Sequence, residues 1–206
     1  MSKYVTMNLL GPFNSGTNLI NNLLRKYLIS PTDGSTIIWK HSLEFTKIVE
    51  TIEKYPYCLF IVSYRPLYSW IKSIEKISYD IKWNKEINGI VEFNNCKYNT
   101  IIELYEKYYI MYKSLIEKYD NVIALEYYKI CDINTSYDYM SKKLKEFNIH
   151  LTDRNNYIHN LNSKSKHHGD PVSNSNEAIQ KKQIMDMEQS PDLKINNEII
   201  TFYECE

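Results

Sequence analysis

Leu9-Leu10-Gly11-Pro12-Phe13-Asn14-Ser15-Gly16-Thr17-Asn18 is the stretch that decides how this chain of 206 residues is read. Tyr4 to Leu10 is rich in apolar and β-branched residues and predicts a buried parallel strand. Leu19, Ile20, Leu23 and Leu24 then recur at helical spacing, so the intervening turn lies at a helix N-terminus. Unpaired backbone N–H groups and the positive end of the helix dipole favour an anion there, and Gly11 and Gly16 let the backbone approach it closely. Ser15 and Thr17 add hydroxyl donors. The bland reading of the same residues is a strand-turn-helix corner with two glycines.

The spacing of Gly11 and Gly16 fits the first half of a Walker A loop, but Thr17 stands where that motif carries its lysine. A terminal phosphoryl group is met by that lysine and Mg²⁺ in nucleotide hydrolases and kinases. Its absence makes such an enzyme the weaker expectation.

Equal numbers of basic and acidic side chains, 25 of each, give no net field that would draw nucleic acid or an anionic membrane. Any basic site must be local. Cys58, Cys96, Cys131 and Cys205 show neither C-x-x-C spacing nor a secretory signal ahead of them, which argues against a disulfide framework or a zinc site. Reduced thiols, no apolar run long enough to span a bilayer, and a first strand starting almost at Met1 predict a soluble, cytoplasmic chain, complete as given. The 19 tyrosines and the abundant Asn, Lys and Ile carry no functional signal by themselves.

Outward from the glycine loop, a turn cluster over Ser30–Ser35 precedes Thr36-Ile37-Ile38-Trp39, read as a short strand that delivers Lys40 and His41 at its carboxyl end. Ligands bind at that end of an open α/β sheet, so both side chains are expected to face the glycine loop. Ser42 caps the next helix in this reading, with Glu44 on a face similar to His41's. Tyr57 to Ser63, apolar almost throughout, predicts a central parallel strand. Arg65 emerges at its end, and Pro66 opens a helix whose buried stripe is Leu67, Ile71 and Ile74, with Ser69 and Ser73 on another face. An arginine fork and a serine hydroxyl two turns away can together hold a phosphate.

The Ser15-Gly16-Thr17 loop, followed by a strand leading to Arg65-Pro66 and then Ser73, resembles the sulfotransferases that use 3′-phosphoadenosine 5′-phosphosulfate (PAPS). The resemblance is concentrated in residues 4–75. It implies a P-loop NTPase-like three-layer sandwich in which Asn14, Ser15, Gly16, Thr17 and Asn18 cradle the 5′-phosphosulfate and Arg65 and Ser73 hold the 3′-phosphate. A late basic loop that closes over that phosphate in the family would here draw on Lys164, Lys166 and Gly169. The family usually carries Lys or Arg where this chain has Asn14; Lys40, from the neighbouring strand end, is the candidate replacement. A Tyr-Glu-Asp-Leu-like sequence of the family survives in position only, as Tyr127-Tyr128-Lys129-Ile130.

Residues from Ile77 to Tyr98 lack clean periodicity and read as an irregular excursion over the crevice or as plain connection. Asn99 or Thr100 opens a long helix whose stripe (Ile101, Leu104, Tyr105, Tyr108, Met111, Tyr112, Leu115, Ile116) is core packing. Another helix follows Asn134-Thr135-Ser136, then a polar segment with a flexible basic loop over 153–176, and weak helical patterns over Glu177–Met187 and Leu193–Tyr203.

The sequence thus predicts one α/β domain over 1–206, with a largely parallel central sheet flanked by helices. The expected reaction moves a sulfuryl group from PAPS to a hydroxyl or amine of a small-molecule or glycan acceptor, releasing PAP (3′-phosphoadenosine 5′-phosphate) and requiring no metal. His41 is the expected base, Glu44 its alternative, and Lys40 the stabilising cation. A degenerate P-loop kinase or hydrolase and a catalytically inactive nucleotide-binding module are the alternatives. Acceptor identity and oligomeric state are not legible.

Overall fold

A computed structural model describes residues 3–28, 37–162, 193 and 195–204. Its centre is a three-stranded parallel sheet in the order β1 (Thr6–Leu10), β2 (Cys58–Tyr64), β6 (Val122–Glu126). β2 is the middle strand and is buried along its whole length, as its nearly continuous apolar run requires of a strand covered on both faces. Its side chains alternate between two separate cores. Cys58, Phe60, Val62 and Tyr64 pack with one set of helices, and Leu59 and Ile61 with the other.

The first core is closed by α2 (Phe45–Lys54), α3 (Leu67–Lys76), α4 (Ile101–Lys118) and a C-terminal helix, α8 (Asn197–Glu204). The second is closed by α1 (Thr17–Tyr27), α5 (Tyr127–Cys131), α6 (Ser136–Lys145) and α7 (Arg154–Asn162). The chain is therefore α/β, with helices on both faces of a small parallel sheet. Residues 82–98 form an antiparallel meander of β3 (Lys82–Trp83), β4 (Val91–Phe93) and β5 (Cys96–Tyr98) where an irregular excursion was expected.

Of the strand expected over 36–39, residues 37–39 are not part of the sheet, and Thr36 lies outside the described residues. Residues 37–40 lie beside β1, but the Oδ1 of buried Asn8 in that strand accepts from the N–H groups of Ile37 (2.8 Å) and Ile38 (3.2 Å). A side-chain acceptor thus replaces the ladder a fourth strand would make. Ser42 is likewise not the cap of α2, which begins after Glu44; the Ser42 hydroxyl accepts from Glu44 N–H in a local turn. Thr100 does cap α4, accepting from Glu103 N–H while Glu103 reaches back to Asn99 N–H, a capping box displaced by one residue. Of the basic loop expected over 153–176, residues Arg154–Asn162 are helical, anchored by buried Tyr157 and Leu161. The rest of that loop, with Lys164, Lys166 and Gly169, and the helix expected over 177–187 lie outside the described residues. Cys58, Cys96 and Cys131 are free thiols, and among the described residues no helix is long and apolar enough to cross a membrane.

Candidate functional site

The carboxyl ends of β1, β2 and β6 bring the glycine loop, Arg65 and Tyr127 together. Gly16 sits at φ 92°, a left-handed conformation suited to glycine, and caps α1. A Cβ there would lie 2.0 Å from the Tyr127 ring, so the loop rests directly on that aromatic face. Gly11 is needed for another reason: its Cβ would meet Ser15 Oγ at 2.5 Å.

Each carbonyl of the loop is tied down by a donor from a different direction. Gly11 accepts from His41 Nδ1 (2.7 Å), Pro12 from Ser15 Oγ (2.8 Å) and Phe13 from Trp70 Nε1 (2.7 Å). Asn14 accepts from Arg65 Nη1 (2.6 Å), and Ser15 from the Ser63 hydroxyl. The N–H groups that follow, of Gly16, Thr17, Asn18 and Leu19, meet no hydrogen-bond acceptor among the described residues. The loop therefore holds its negative dipole ends in protein contacts and leaves the positive ones together at the first turn of α1.

Two cations flank those amides. Lys40 Nζ hydrogen-bonds Asn18 Oδ1, and partial burial lowers the Lys40 pKa. Arg65 is 8% exposed; its Nε donates to Ser69 Oγ (2.9 Å), and its guanidinium lies 4.8 Å from the Tyr127 ring centroid. Tyr105 OH donates to Arg65 O (2.9 Å) and Tyr109 OH accepts from Arg65 N–H (3.1 Å), so α4 fixes the backbone from which this side chain departs.

His41 is buried, and because a carbonyl can only accept, its Nδ1 carries the proton and Nε2 a lone pair. The bond to Gly11 is matched by Gly11 N–H donating to Lys40 O (2.9 Å), which clamps the 40–41 backbone to the end of β1. Burial pushes the His41 pKa down to about 4, against the opposing effect of the Gly11 carbonyl.

Glu44 stands apart from this group: its carboxylate is mostly exposed and lies 3.9 Å from Lys47 Nζ. Ser15 is fully buried with its hydroxyl proton on Pro12, so its part is to shape the loop. Asn14, at φ 59°, donates through Nδ2 to Ser73 O (3.2 Å) and Ile77 O (2.7 Å), lashing the loop to the end of α3. The Arg65 and Ser73 segments thus meet at Asn14, and Ser69, one turn from Arg65, is the serine that the guanidinium touches. The contacts with Ser69 Oγ and Asn14 O use Nε–H and one Nη1–H of the five N–H donors of the guanidinium.

Asn8, Ser63 and Trp70 were not singled out by the sequence, and Tyr127 only as the start of a positional echo of the family's Tyr-Glu-Asp-Leu-like sequence. Asn8 and Ser63 carried a signal, since each is a polar residue in a mostly apolar strand; Trp70 fits the core pattern and carried none. A separate concavity of about 340 Å³, lined by Lys26, Tyr27, Thr152, Asp153, Asn156 and Asn160, lies at the opposite end of α1 and shares no residue with the loop. No protein-family model matches this chain, nor does any curated protein or solved structure.

Proposed function

We propose that this protein is a PAPS-dependent sulfotransferase with a P-loop NTPase-like core, acting in the cytoplasm on a small-molecule or glycan acceptor. The observation that carries the reading is the glycine loop: carbonyls from Gly11 to Ser15 held by protein donors, amides from Gly16 to Leu19 without acceptors among the described residues. Such an array suits the 5′-phosphosulfate. In this reading Lys40 supplies positive charge beside it where Asn14 does not, and Arg65 takes the 3′-phosphate.

In the proposed reaction the acceptor oxygen attacks sulfur in line, forming an O–S bond as the bond from sulfur to the bridging phosphate oxygen breaks. PAP leaves with that electron pair, and His41 Nε2 takes the acceptor proton. Lys40 and the loop amides stabilise charge on the sulfuryl oxygens and the departing phosphate. The reaction itself assigns no role to a metal.

The inactive nucleotide-binding module is the second reading, favoured by one observation: Asn14 turns its side chain to α3. It differs in predicting PAP binding without turnover. Melting temperature separates these readings from a kinase. A hundredfold excess of PAP over its Kd, in EDTA, stabilises the native state by about 2.7 kcal/mol, roughly 5–10 °C for a domain of this size. ATP should do less; an equal or larger shift with Mg·ATP selects the kinase.

A further inference from the structure

Aromatic rings cluster around His41. The His41 imidazole stacks on Phe13 with centroids 4.0 Å apart and planes 30° apart, and Tyr79 also stacks on Phe13 at 5.2 Å and 17°. Trp39 meets both Phe13 (5.9 Å) and His41 (5.7 Å) edge-on. Phe93 of β4 packs edge-on to Phe13 at 5.8 Å, which makes the meander one wall of the group. Phe13 and Phe93 are buried, but Trp39 and Tyr79 are 43% and 45% exposed.

Single exposed aromatics need no explanation. Here two of them, from separate segments, share one neighbour that also stacks on the candidate base. Both segments are held in place. Asn8 anchors the residues just before Trp39, and Tyr79 keeps φ 49°, a conformation disfavoured for a bulky side chain.

We infer that Trp39 and Tyr79 form the acceptor subsite, with Phe13 between them, and that the acceptor is a flat aromatic ring presenting a phenolic hydroxyl to His41 Nε2. The inference rests on the sulfotransferase reading for its chemistry and on the ring geometry for its specificity. Offset and edge-on stacking reward a planar ring more than a puckered sugar. The base agrees with this choice. An imidazole whose pKa is lowered to about 4 is a weak proton acceptor, and a phenol, near 10, is a far better match than an alkyl hydroxyl with acidity near that of water, about 15.7. The phenolic oxygen forms the bond to sulfur, the bond from sulfur to the phosphate oxygen breaks, PAP departs with the pair, and the phenolic proton moves to His41 and then to solvent.

The test is equilibrium binding of 2-naphthol and of methyl glucoside to the full chain, with and without saturating PAP. Naphthol should bind at one site at least tenfold more tightly than the glucoside. Trp39→Ala and Tyr79→Ala should each weaken naphthol roughly two- to tenfold, Trp39→Phe and Tyr79→Phe should largely restore it, and PAP affinity should stay unchanged in all four. Equal affinity for naphthol and glucoside, or naphthol binding indifferent to both alanine variants, overturns the subsite. Naphthol is also read without donor, so a chain that binds it at these rings but ignores PAP loses the donor reading and keeps the subsite.

Discussion

His41 is oriented and kept neutral by one environment: the Gly11 carbonyl fixes the tautomer, and burial lowers the pKa to about 4. Above about pH 6.5 the folded and unfolded chains both carry a neutral imidazole, and this contribution to stability is complete. Below it the unfolded chain takes up a proton that the folded chain refuses until about pH 4. Stability therefore falls across that window, by up to about 3 kcal/mol. Urea denaturation between pH 7 and pH 4.5 should show the fall in the wild type and a shallower one in His41→Gln, whose amide can still donate to Gly11; parallel curves would assign the pH dependence to other groups. In turnover, His41→Ala should lose about 10²–10⁴-fold in sulfuryl transfer with PAP binding retained. Near-normal transfer would remove the base role. Arg65 is the other residue with a sharp expectation. Arg65→Ala should weaken PAP about ten- to a hundredfold and adenosine 5′-phosphosulfate, which lacks the 3′-phosphate, clearly less. An equal loss for both would mean that Arg65 acts through the Asn14 carbonyl, on the shape of the loop, and not on the 3′-phosphate.

At the scale of elements, the strands β1 and β2, the helix after Pro66 and the stripe of α4 were legible because long apolar runs and helical periodicity report burial directly. The segment 37–41 was not. Its composition is strand-like, and what keeps it out of the sheet is a single side chain thirty residues away in sequence, about which local pattern says nothing. Asn8→Ala should therefore cost about 1–3 kcal/mol, since the Ile37 and Ile38 N–H groups lose their acceptor, and hydrogen exchange should accelerate at those two amides before it does elsewhere in the site. Unchanged exchange there would show that the Asn8 contact does not hold the segment. The loop makes a matching test. Gly16→Ala conflicts with both its φ and the Tyr127 ring, so it should lower the melting temperature, and Tyr127→Ala should relieve part of that loss in the double variant. Strict additivity would mean that the ring contact is not the cause.

Over the whole molecule, the α/β character and the sheet with helices on both faces follow from a middle strand whose alternate residues face separate cores. The meander at 82–98 escaped the sequence because its strands run only two or three residues, too short for alternation to register. The candidate site was half legible. The loop and Arg65 could be read from strand ends and a turn, whereas Lys40 and His41 were singled out through a strand that does not join the sheet; all three side chains meet the loop at the carboxyl ends of the strands. The contacts that shape the proposed anion cradle could not be read, because Trp70, Ser63 and Tyr127 reach the loop only through tertiary packing. Amide NMR during a PAP titration without Mg²⁺ tests the proposed cradle most directly. Binding of PAP in the loop should put the largest shifts on the Gly16, Thr17, Asn18 and Leu19 N–H resonances, with Lys26, Asn156 and Asn160 at the separate concavity unmoved. Loop amides that stay in place under saturating PAP, or that move only with Mg·ATP, would contradict it.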